Sequence, residues 1–255
     1  MTENKDWTGG TFCAGGQPLP GAPSWGMSLK AAGSMRFRWN EANPARDAFL
    51  SAVGEGRAVA AVELVHSRTV YAVDSAAELA GLQGDGIITR KRGLLPVVTV
   101  ADCMPLFLYE PDAQVFGVLH SGWKGTGIVR DALELAGRRY GADPRKFCVV
   151  MGPHIHRCCY TVDGERAAYF RREFTPDCVE PVPGTSGYAL SLAAANLAVL
   201  RGMGVPEDRI SVSADCTCCN PRFGSFRRET AGLPADMPLA ERQRCFTVQA
   251  AWVKW

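Results

Sequence analysis

Three short apolar runs follow one another in the middle of the chain and form its most regular pattern. They cover residues 87–89, 95–101 and 115–119, and the polar segment 110–114 (EPDAQ) has the composition of a turn. Each run is apolar at consecutive positions, as in strands that are buried on both faces. We therefore expect three strands of a sheet that is covered by other layers.

Apolar residues at helical spacing predict helices on both sides of these strands. Asn43 and Ser191 are typical N-caps, Pro44 suits a first turn, and Gly141 and Pro144 are stop signals. The predicted helices cover residues 43–54, 126–140, 164–174 and 190–204. Further strands are expected in residues 58–73, 147–151 and 244–253, and residues 208–229 are expected to form a strand, a cysteine-rich loop and another short strand.

The start of the chain differs in composition from the rest. Residues 1–35 are rich in Gly, Pro and Ser and predict an irregular lead-in. Residues 36–255 contain the predicted helices and strands, with no internal repeat, low-complexity tract or linker-like segment. We expect a single domain of mixed α and β structure over residues 36–255.

Composition and charge narrow the classes of function. The chain has 255 residues, 47% hydrophobic and 21% charged, with a formal net charge of +2. Because no long basic run is present, neither nucleic acid nor a membrane is expected as a partner. No apolar run reaches the ~18 residues that span a bilayer, and the first residues lack a secretory-signal pattern. We expect a soluble, cytoplasmic protein.

Cysteine is frequent and histidine is scarce, with ten and four residues respectively. In a cytosolic chain this favours metal binding or catalysis over a disulfide framework. Cys103, His120 and His66 each lie where an apolar run gives way to a loop. By the period of two of a strand, Cys103 shares one face with Leu95, Val97, Thr99 and Ala101.

Three interpretations of these residues stay open on spacing alone. One thiolate and two imidazoles are three protein ligands, which is typical of a catalytic zinc site with a fourth position left for water. Alternatively, Cys103 and His120 form a nucleophile and base pair. The simplest alternative is a buried thiol and hydrogen-bonded histidines without a ligand.

A glycine-rich loop, SGWKGTG, follows His120 directly. Gly122 and Gly125 allow tight turns, the loop opens a helix, and Lys124 adds positive charge, so the loop is a candidate phosphate-binding segment. It is not a nucleotide-binding P-loop, which places Lys and Ser/Thr after its last glycine. The alternative is a flexible turn. Arg227, beside aromatic residues, is a second candidate for anion binding, or else a surface residue.

Two further segments are rich in metal-binding residue types, PHIHRCCY and DCTCCN. A second metal between them is one hypothesis. Reduced structural thiols are the favoured interpretation, because paired C-x-x-C spacing is absent. The residues concerned are His154, His156, Cys158, Cys159, Cys216, Cys218 and Cys219.

Five ordered blocks of the chain together resemble one known family. The blocks are LVHS, DGIITRKRGLLPVVTVADCMPLFL, LHSGWKG, GPHIHRCCYTV and CTCCNPRFGSFRRE. The sequence resembles the bacterial laccase-domain family, also called the purine nucleoside phosphorylase or peptidoglycan-editing-factor family. The resemblance implies that His66, Cys103 and His120 are metal ligands, with zinc as the expected ion and copper as a second candidate. It implies an α+β fold in which two mixed sheets lie between helical layers.

The resemblance also implies an activity. It implies phosphorolysis of adenosine, inosine and methylthioadenosine, with some adenosine deamination, so the expected partners are a nucleoside and phosphate in a monomer or homodimer. Asp102 is expected to orient a ligand or donate to substrate, and the alternative is a contact within a turn. The alternatives are a peptidoglycan-precursor editing amidohydrolase at the same Cys/His/His site and a non-catalytic metal-binding protein.

The chain departs from the family pattern at several positions near these residues. Leu64, Ser67, Ser121 and Lys124 replace the usual Gln, Gly, Ala and Arg. Lysine keeps the charge of arginine but lacks its two-pronged contact with phosphate, so the role of residue 124 is open. Four histidines are also too few for the blue and trinuclear copper sites of a multicopper oxidase.

Overall fold

The computed structural model of the chain describes residues 2–3, 5–234 and 236–255. In chain order the strands are β1 (Thr2–Glu3), β2 (Trp7–Thr11), β3 (Cys13–Ala14), β4 (Gln17–Pro18), β5 (Ser24–Ser28), β6 (Ala58–Ala61), β7 (Val70–Ala72), β8 (Gly86–Thr89), β9 (Leu94–Val100), β10 (Met104–Glu110), β11 (Val115–Ser121), β12 (Cys148–Met151), β13 (Thr161–Val162), β14 (Val179–Pro181), β15 (Tyr188–Leu190), β16 (Ile210–Val212) and β17 (Gln249–Lys254). The α-helices are α1 (Pro44–Gly54), α2 (Ile128–Tyr140), α3 (Gly164–Glu173), α4 (Leu192–Gly202), α5 (Phe226–Glu229) and α6 (Leu239–Arg242). Short 3-10 helices cover Lys30–Ala32, Ala76–Leu79, Pro144–Lys146, Pro176–Cys178 and Glu207–Arg209.

Two six-stranded mixed sheets form the centre of the fold. The first has the order β1-β2-β5-β17-β9-β6 and the second β16-β12-β10-β11-β8-β7. The pairs β6–β9, β7–β8 and β12–β16 are parallel, whereas the other pairs in these sheets are antiparallel. A small sheet, β13-β15-β14, and the hairpin β3-β4 lie outside them.

The side chains of the two sheets divide the core into layers. Phe107 on β10 points between the sheets and stacks on Trp25 of β5 with ring centroids 5.0 Å apart. Its neighbours on the strand, Leu106 and Leu108, point to the other face and pack beneath α2, α3 and α4. Helix α1 covers the outer face of the first sheet through Leu50. The predicted fold, with two mixed sheets between helical layers, is therefore confirmed.

The central apolar runs form strands as predicted, but the prediction missed one strand and one change of sheet. Strands β8, β9 and β11 correspond to the three predicted runs, and β10 lies between β9 and β11. Asp102 has a φ of 77° and turns the chain from the first sheet into the second. The predicted shared face of Leu95 and Cys103 is therefore wrong, because the alternation of side chains does not continue through that turn.

All four predicted helices are present, and the predicted caps at Asn43 and Ser191 form. The Asn43 side chain accepts a hydrogen bond from the backbone N–H of Arg46 at 3.1 Å, and Ser191 caps α4 in the same way. The short strand predicted after the cysteine-rich loop is wrong, because Ser225 caps a helical turn, α5, at that position. None of the helices in the described ranges has both the length and the apolar character needed to cross a membrane.

The irregular lead-in predicted for residues 1–35 is wrong where β2 and β5 form. These strands pair with each other and join the C-terminal strand β17 in the first sheet. Gly26 allows this arrangement, because a Cβ atom there would lie 2.4 Å from the Trp252 ring. The glycines that suggested irregular structure thus include one that permits close packing of a strand.

Candidate metal and substrate site

The hairpin formed by β10 and β11 brings Cys103 and His120 together. In the antiparallel register Met104 faces Ser121 and Pro105 faces His120, so Cys103 lies at the same end of the hairpin as His120. Strand β8 pairs with the other side of β11, and the backbone carbonyl of Asp85 accepts the N–H of His120 at 2.7 Å. Strand pairing in the second sheet therefore places Asp85, Cys103 and His120 together at the ends of three interior strands.

Asp85 is a candidate site residue that sequence analysis missed. Its side chain is fully buried, and one carboxylate oxygen lies 2.8 Å from Nδ1 of His120. The same carboxylate accepts hydrogen bonds from the backbone N–H of His66 at 3.0 Å and from the N–H and hydroxyl of Ser67. If His120 donates from Nδ1, its Nε2 is left with a lone pair for a metal.

Asp85 also stabilises the loop that carries His66. His66 has a φ of 59°, in the left-handed region that non-glycine residues seldom adopt. The hydrogen bonds from the backbone of His66 and Ser67 to Asp85 compensate for this conformation. A single charged residue between two glycines before a buried strand was the signal in the sequence, but it also fits an ordinary turn.

His66, Cys103 and His120 converge as the sequence argument requires. One ligand atom from each lies within 4.8 Å of the others, and the imidazole rings of His66 and His120 are 4.9 Å apart in an edge-to-face arrangement. A Cβ atom at Gly122 would lie 2.8 Å from Sγ of Cys103, so glycine there keeps the space at the thiol open. A soft sulfur and two imidazole nitrogens are a donor set that fits zinc, and copper as well.

The electrostatics of the pair formed by Cys103 and His120 favour a thiolate. Burial raises the pKa of Cys103, but the charge and hydrogen bond of His120, with a smaller contribution from His66, lower it to about 6. Burial lowers the pKa of His120, whereas the charge of Cys103 and the hydrogen bond to Asp85 raise it to about 10. The protein matrix therefore stabilises the ionised form of the thiol, which is the form that binds metals and attacks electrophiles.

The three residues lie in the wall of a cavity of about 600 Å³. Part of the wall is apolar or aromatic, and part of it is basic. The apolar and aromatic lining comprises Phe37, Leu64, Val100, Ala101, Trp123, Ile155, Tyr160, Leu192, Phe226, Phe246 and Val248. The arginines are Arg36, Arg38, Arg166 and Arg227, and the acidic side chain is Asp102.

Of the four predicted phosphate-binding residues, two line the cavity and two do not. Gly122 and Arg227 line the cavity. Lys124 is exposed, with Nζ 5.4 Å from the centre of the Trp123 ring, and it is not part of the lining. Gly125 packs against the chain at Ser67, where a Cβ atom would lie 2.7 Å from the backbone oxygen.

Arg166 and the pair Arg36 and Arg38 are further basic residues of the cavity that the sequence did not indicate. Arg36 contacts Glu41 at 3.4 Å, and Arg38 contacts Glu63 at 2.7 Å. Arg166 stacks over Trp123 at 4.4 Å, and its buried Nε has no hydrogen-bond partner among the described residues. Arginines are common on helices, so nothing in the sequence singled out Arg166. Only the folded structure shows that it lies in the cavity wall.

Asp102 is buried, and both of its carboxylate oxygens accept hydrogen bonds. Oδ1 accepts from the Thr217 hydroxyl at 2.7 Å, and Oδ2 accepts from the backbone N–H of Arg227 at 2.6 Å. The residue therefore connects the turn before Cys103 to the cysteine-rich loop and to α5.

His154 and His156 lie outside the group formed by His66, Cys103 and His120. Their rings contact each other at 4.5 Å, and His154 donates from Nδ1 to the carbonyl of Gly152. Burial lowers the pKa of His154 to about 3, so this imidazole is neutral.

Comparison with known proteins identifies the family. Residues 40–236 match the family model described as multi-copper polyphenol oxidoreductase laccase. The purine nucleoside phosphorylase YlmD of Geobacillus stearothermophilus is 38% identical over 150 residues, which cover 57% of this chain and 55% of that protein. A protein named adenosine deaminase from an unknown prokaryotic organism is 35% identical over 162 residues, which cover 62% of each. The chain thus spans about half of the first relative's length and less than two thirds of the second's.

The fold agrees with this assignment. The crystal structure of YlmD from Geobacillus stearothermophilus superposes with a TM-score of 0.79 at 25% identity, covering 100% of this chain and 97% of that chain. The sequence match includes the segments that carry His66, Cys103 and His120. The resemblance noted in the sequence is confirmed, and the chain belongs to the laccase-domain family.

Proposed function

We propose that the protein is a zinc-dependent purine nucleoside phosphorylase that also deaminates adenosine. The observation that carries the proposal is the convergence of His66, Cys103 and His120 in the wall of a cavity with both aromatic and cationic lining. Relatives named purine nucleoside phosphorylase and adenosine deaminase support the same two reactions. Adenosine, inosine and methylthioadenosine are the substrates we propose.

His66, Cys103 and His120 would hold the zinc ion, and Asp85 would orient His120. A zinc ion there would supply a Lewis acid and an activated water molecule. Copper is the alternative occupant, because thiolate and imidazole suit both metals. We do not propose four-electron oxidation, because four histidines are too few for the blue and trinuclear copper sites of a multicopper oxidase.

Arg166 and Arg227 are the proposed phosphate subsite. Both line the cavity, and no carboxylate in the described ranges forms an ion pair with either of them. Arg36 and Arg38 are already paired with glutamates, so their charge is partly compensated. The unpartnered Nε of Arg166 is a buried donor that an oxyanion would satisfy.

The aromatic wall suits a purine base. Phe226 and Phe246 contact each other edge to face with ring centroids 5.2 Å apart, and both line the cavity together with Phe37. Aromatic faces bind a planar heterocycle without requiring a hydrogen-bond pattern. A volume of about 600 Å³ lies within the usual range for small-molecule sites.

Asp102 is proposed to act as a positioning residue. Because both carboxylate oxygens are engaged, it holds the backbone of Arg227 and the turn before Cys103 in place. A cytoplasmic location and a monomeric or homodimeric state stay predictions from the sequence.

Phosphate dependence tests the proposed reaction directly. Inosine incubated with the zinc-loaded protein should yield hypoxanthine and ribose 1-phosphate only when inorganic phosphate is present. Adenosine should also yield inosine and ammonia without phosphate. Chromatography of the products measures both reactions. Absence of nucleoside turnover in protein with a full complement of metal would reject the proposal.

Substitution of Arg166 tests the phosphate subsite. For Arg166→Gln we expect the KM for phosphate to rise about 30-fold, since a hydrogen bond to a charged group contributes about 2 kcal/mol. Steady-state kinetics at saturating nucleoside measures this. The matched variant Lys124→Gln removes a charge from the glycine-rich loop. A large rise in KM for Lys124→Gln, with none for Arg166→Gln, would favour the assignment made from the sequence.

A further inference from the structure

A second group of metal-binding side chains lies outside the site described above. Cys158 and Cys159 come from the loop after β12, and Cys216 and Cys219 from the loop after β16. The four Sγ atoms, here called the four-cysteine cluster, all lie within 4.8 Å of one another. Sγ of Cys219 is 3.6 Å from that of Cys158 and 3.3 Å from that of Cys159.

These distances fit four thiolates around one ion. With a Zn–S bond of about 2.3 Å, sulfur atoms at the corners of a tetrahedron are about 3.8 Å apart. All four residues are free cysteines, and the sulfur separations are well above the ~2.05 Å of a disulfide bond. The side chains are thus separate thiols at close to the spacing that a tetrathiolate site requires.

The backbone holds the two loops against each other without a metal. His154 and Cys216 form an isolated parallel bridge, in which the N–H of Thr217 donates to the carbonyl of His154 at 3.0 Å. The N–H of His156 donates to Sγ of Cys216 at 3.3 Å. An amide that donates to a sulfur favours the thiolate form needed for metal binding.

Arg228, which is partly buried, supports the loop through hydrogen bonds to its backbone. The guanidinium of Arg228 donates to the carbonyls of Thr217 at 2.6 Å and Cys218 at 2.9 Å, and it also contacts those of Asn220 and Phe223. The loop therefore keeps its shape through hydrogen bonds, and the sulfur atoms are preorganised.

We propose that the four-cysteine cluster binds a zinc ion as a structural site. Four protein ligands close the coordination shell, in contrast to the three-ligand group of His66, Cys103 and His120. The sequence argument against a metal here relied on the absence of two C-x-x-C pairs. In the fold, Cys216 and Cys219 supply one such pair, and the adjacent residues Cys158 and Cys159 supply the other two sulfurs.

The position of the cluster suggests what the ion would stabilise. Tyr160, a residue of the cavity wall, directly follows Cys159. Thr217, between Cys216 and Cys219, donates to Asp102, which also holds Arg227. The ion would join two loops that carry the cavity wall and so fix the proposed substrate site.

Metal stoichiometry tests the inference independently of activity. The full-length protein, purified under reducing conditions and loaded with zinc, should contain about two ions per chain, and Cys219→Ser should contain about one. Cys13→Ser is the control, because Cys13 is a partly exposed free cysteine outside both ligand groups, and it should retain about two. Cys103→Ala should also contain about one, which separates failure at this cluster from failure at the proposed catalytic site.

Cobalt substitution identifies the ligands if Cys219→Ser folds poorly. Cobalt bound to wild-type protein and to Cys103→Ala should show the intense sulfur-to-metal charge-transfer absorption of a tetrathiolate, and in the double variant Cys103→Ala/Cys158→Ser that absorption should be much weaker. Equal zinc content in wild type and Cys219→Ser, or free reaction of Cys158, Cys159, Cys216 and Cys219 with a thiol reagent in zinc-loaded wild-type protein, would overturn the inference.

Discussion

Cys103→Ala is expected to lower kcat/KM for inosine phosphorolysis by about 10³-fold or more, equivalent to about 4 kcal/mol of transition-state stabilisation. The physical reason is the loss of the only sulfur donor from the group of His66, Cys103 and His120. Two imidazoles alone bind zinc more weakly and leave its position poorly defined. Steady-state kinetics and metal analysis of the same preparation measure the two effects together.

A matched control separates this effect from a general loss of stability. Cys148→Ala also removes a buried thiol, on β12 opposite Tyr109 and so at the other end of β10 from Cys103. It should retain activity and metal. Equal turnover by wild type and Cys103→Ala would contradict the metal site. Activity that survives chelation but is lost with iodoacetamide would instead identify Cys103 as a nucleophile.

Asp85→Asn is expected to lower zinc affinity at the site by about 10- to 100-fold, the usual effect of losing a partner of a metal-binding histidine. The substitution removes the charge that orients His120 and replaces one acceptor oxygen with an NH₂ group. That group would face donors on His66, Ser67 or His120. Competition with a chromophoric chelator measures the affinity of the folded protein.

Asp143→Asn is the control for Asp85→Asn. Asp143 accepts a hydrogen bond from the backbone N–H of Arg145 at 3.0 Å, at the start of a 3-10 helix. The Asp143→Asn variant therefore also loses a charged hydrogen-bond acceptor. It lies outside the cavity lining, and its variant should bind zinc as the wild type does. An Asp85→Asn protein with unchanged zinc affinity and a normal thermal transition would show that Asp85 supports only the fold.

Local signals accounted for much of the secondary structure. The caps at Asn43 and Ser191 form as expected, because each requires only a side chain and a backbone N–H three residues away. Strand β10 was missed because it follows another apolar strand, and a continuous apolar sequence has no alternation that marks where one strand ends and the next begins. The turn at Asp102 determines the separation, and its positive φ has no clear sequence signal.

The candidate site was predictable only in part. Cys103 and His120 lie near each other in a hairpin, and His66 was indicated by the end of its apolar run and by family resemblance. Asp85 and Arg166 were not indicated, because their roles depend on burial and on neighbours from other elements. Lys124 matched the expected charge of a phosphate loop, yet its side chain is exposed.

The sequence by itself determined a domain of mixed α and β structure, most helix boundaries and the residue types available for a metal, whereas the arrangement in layers was implied by the family resemblance. Periodicity, capping and ligand chemistry are local properties, so the order of residues is sufficient to specify them. Only the tertiary structure decided that Asp85 orients His120, that Arg166 joins the cavity wall and that four cysteines from two loops meet. These contacts join residues distant in the chain, and their geometry exists only after the strands have paired and the two sheets have packed together.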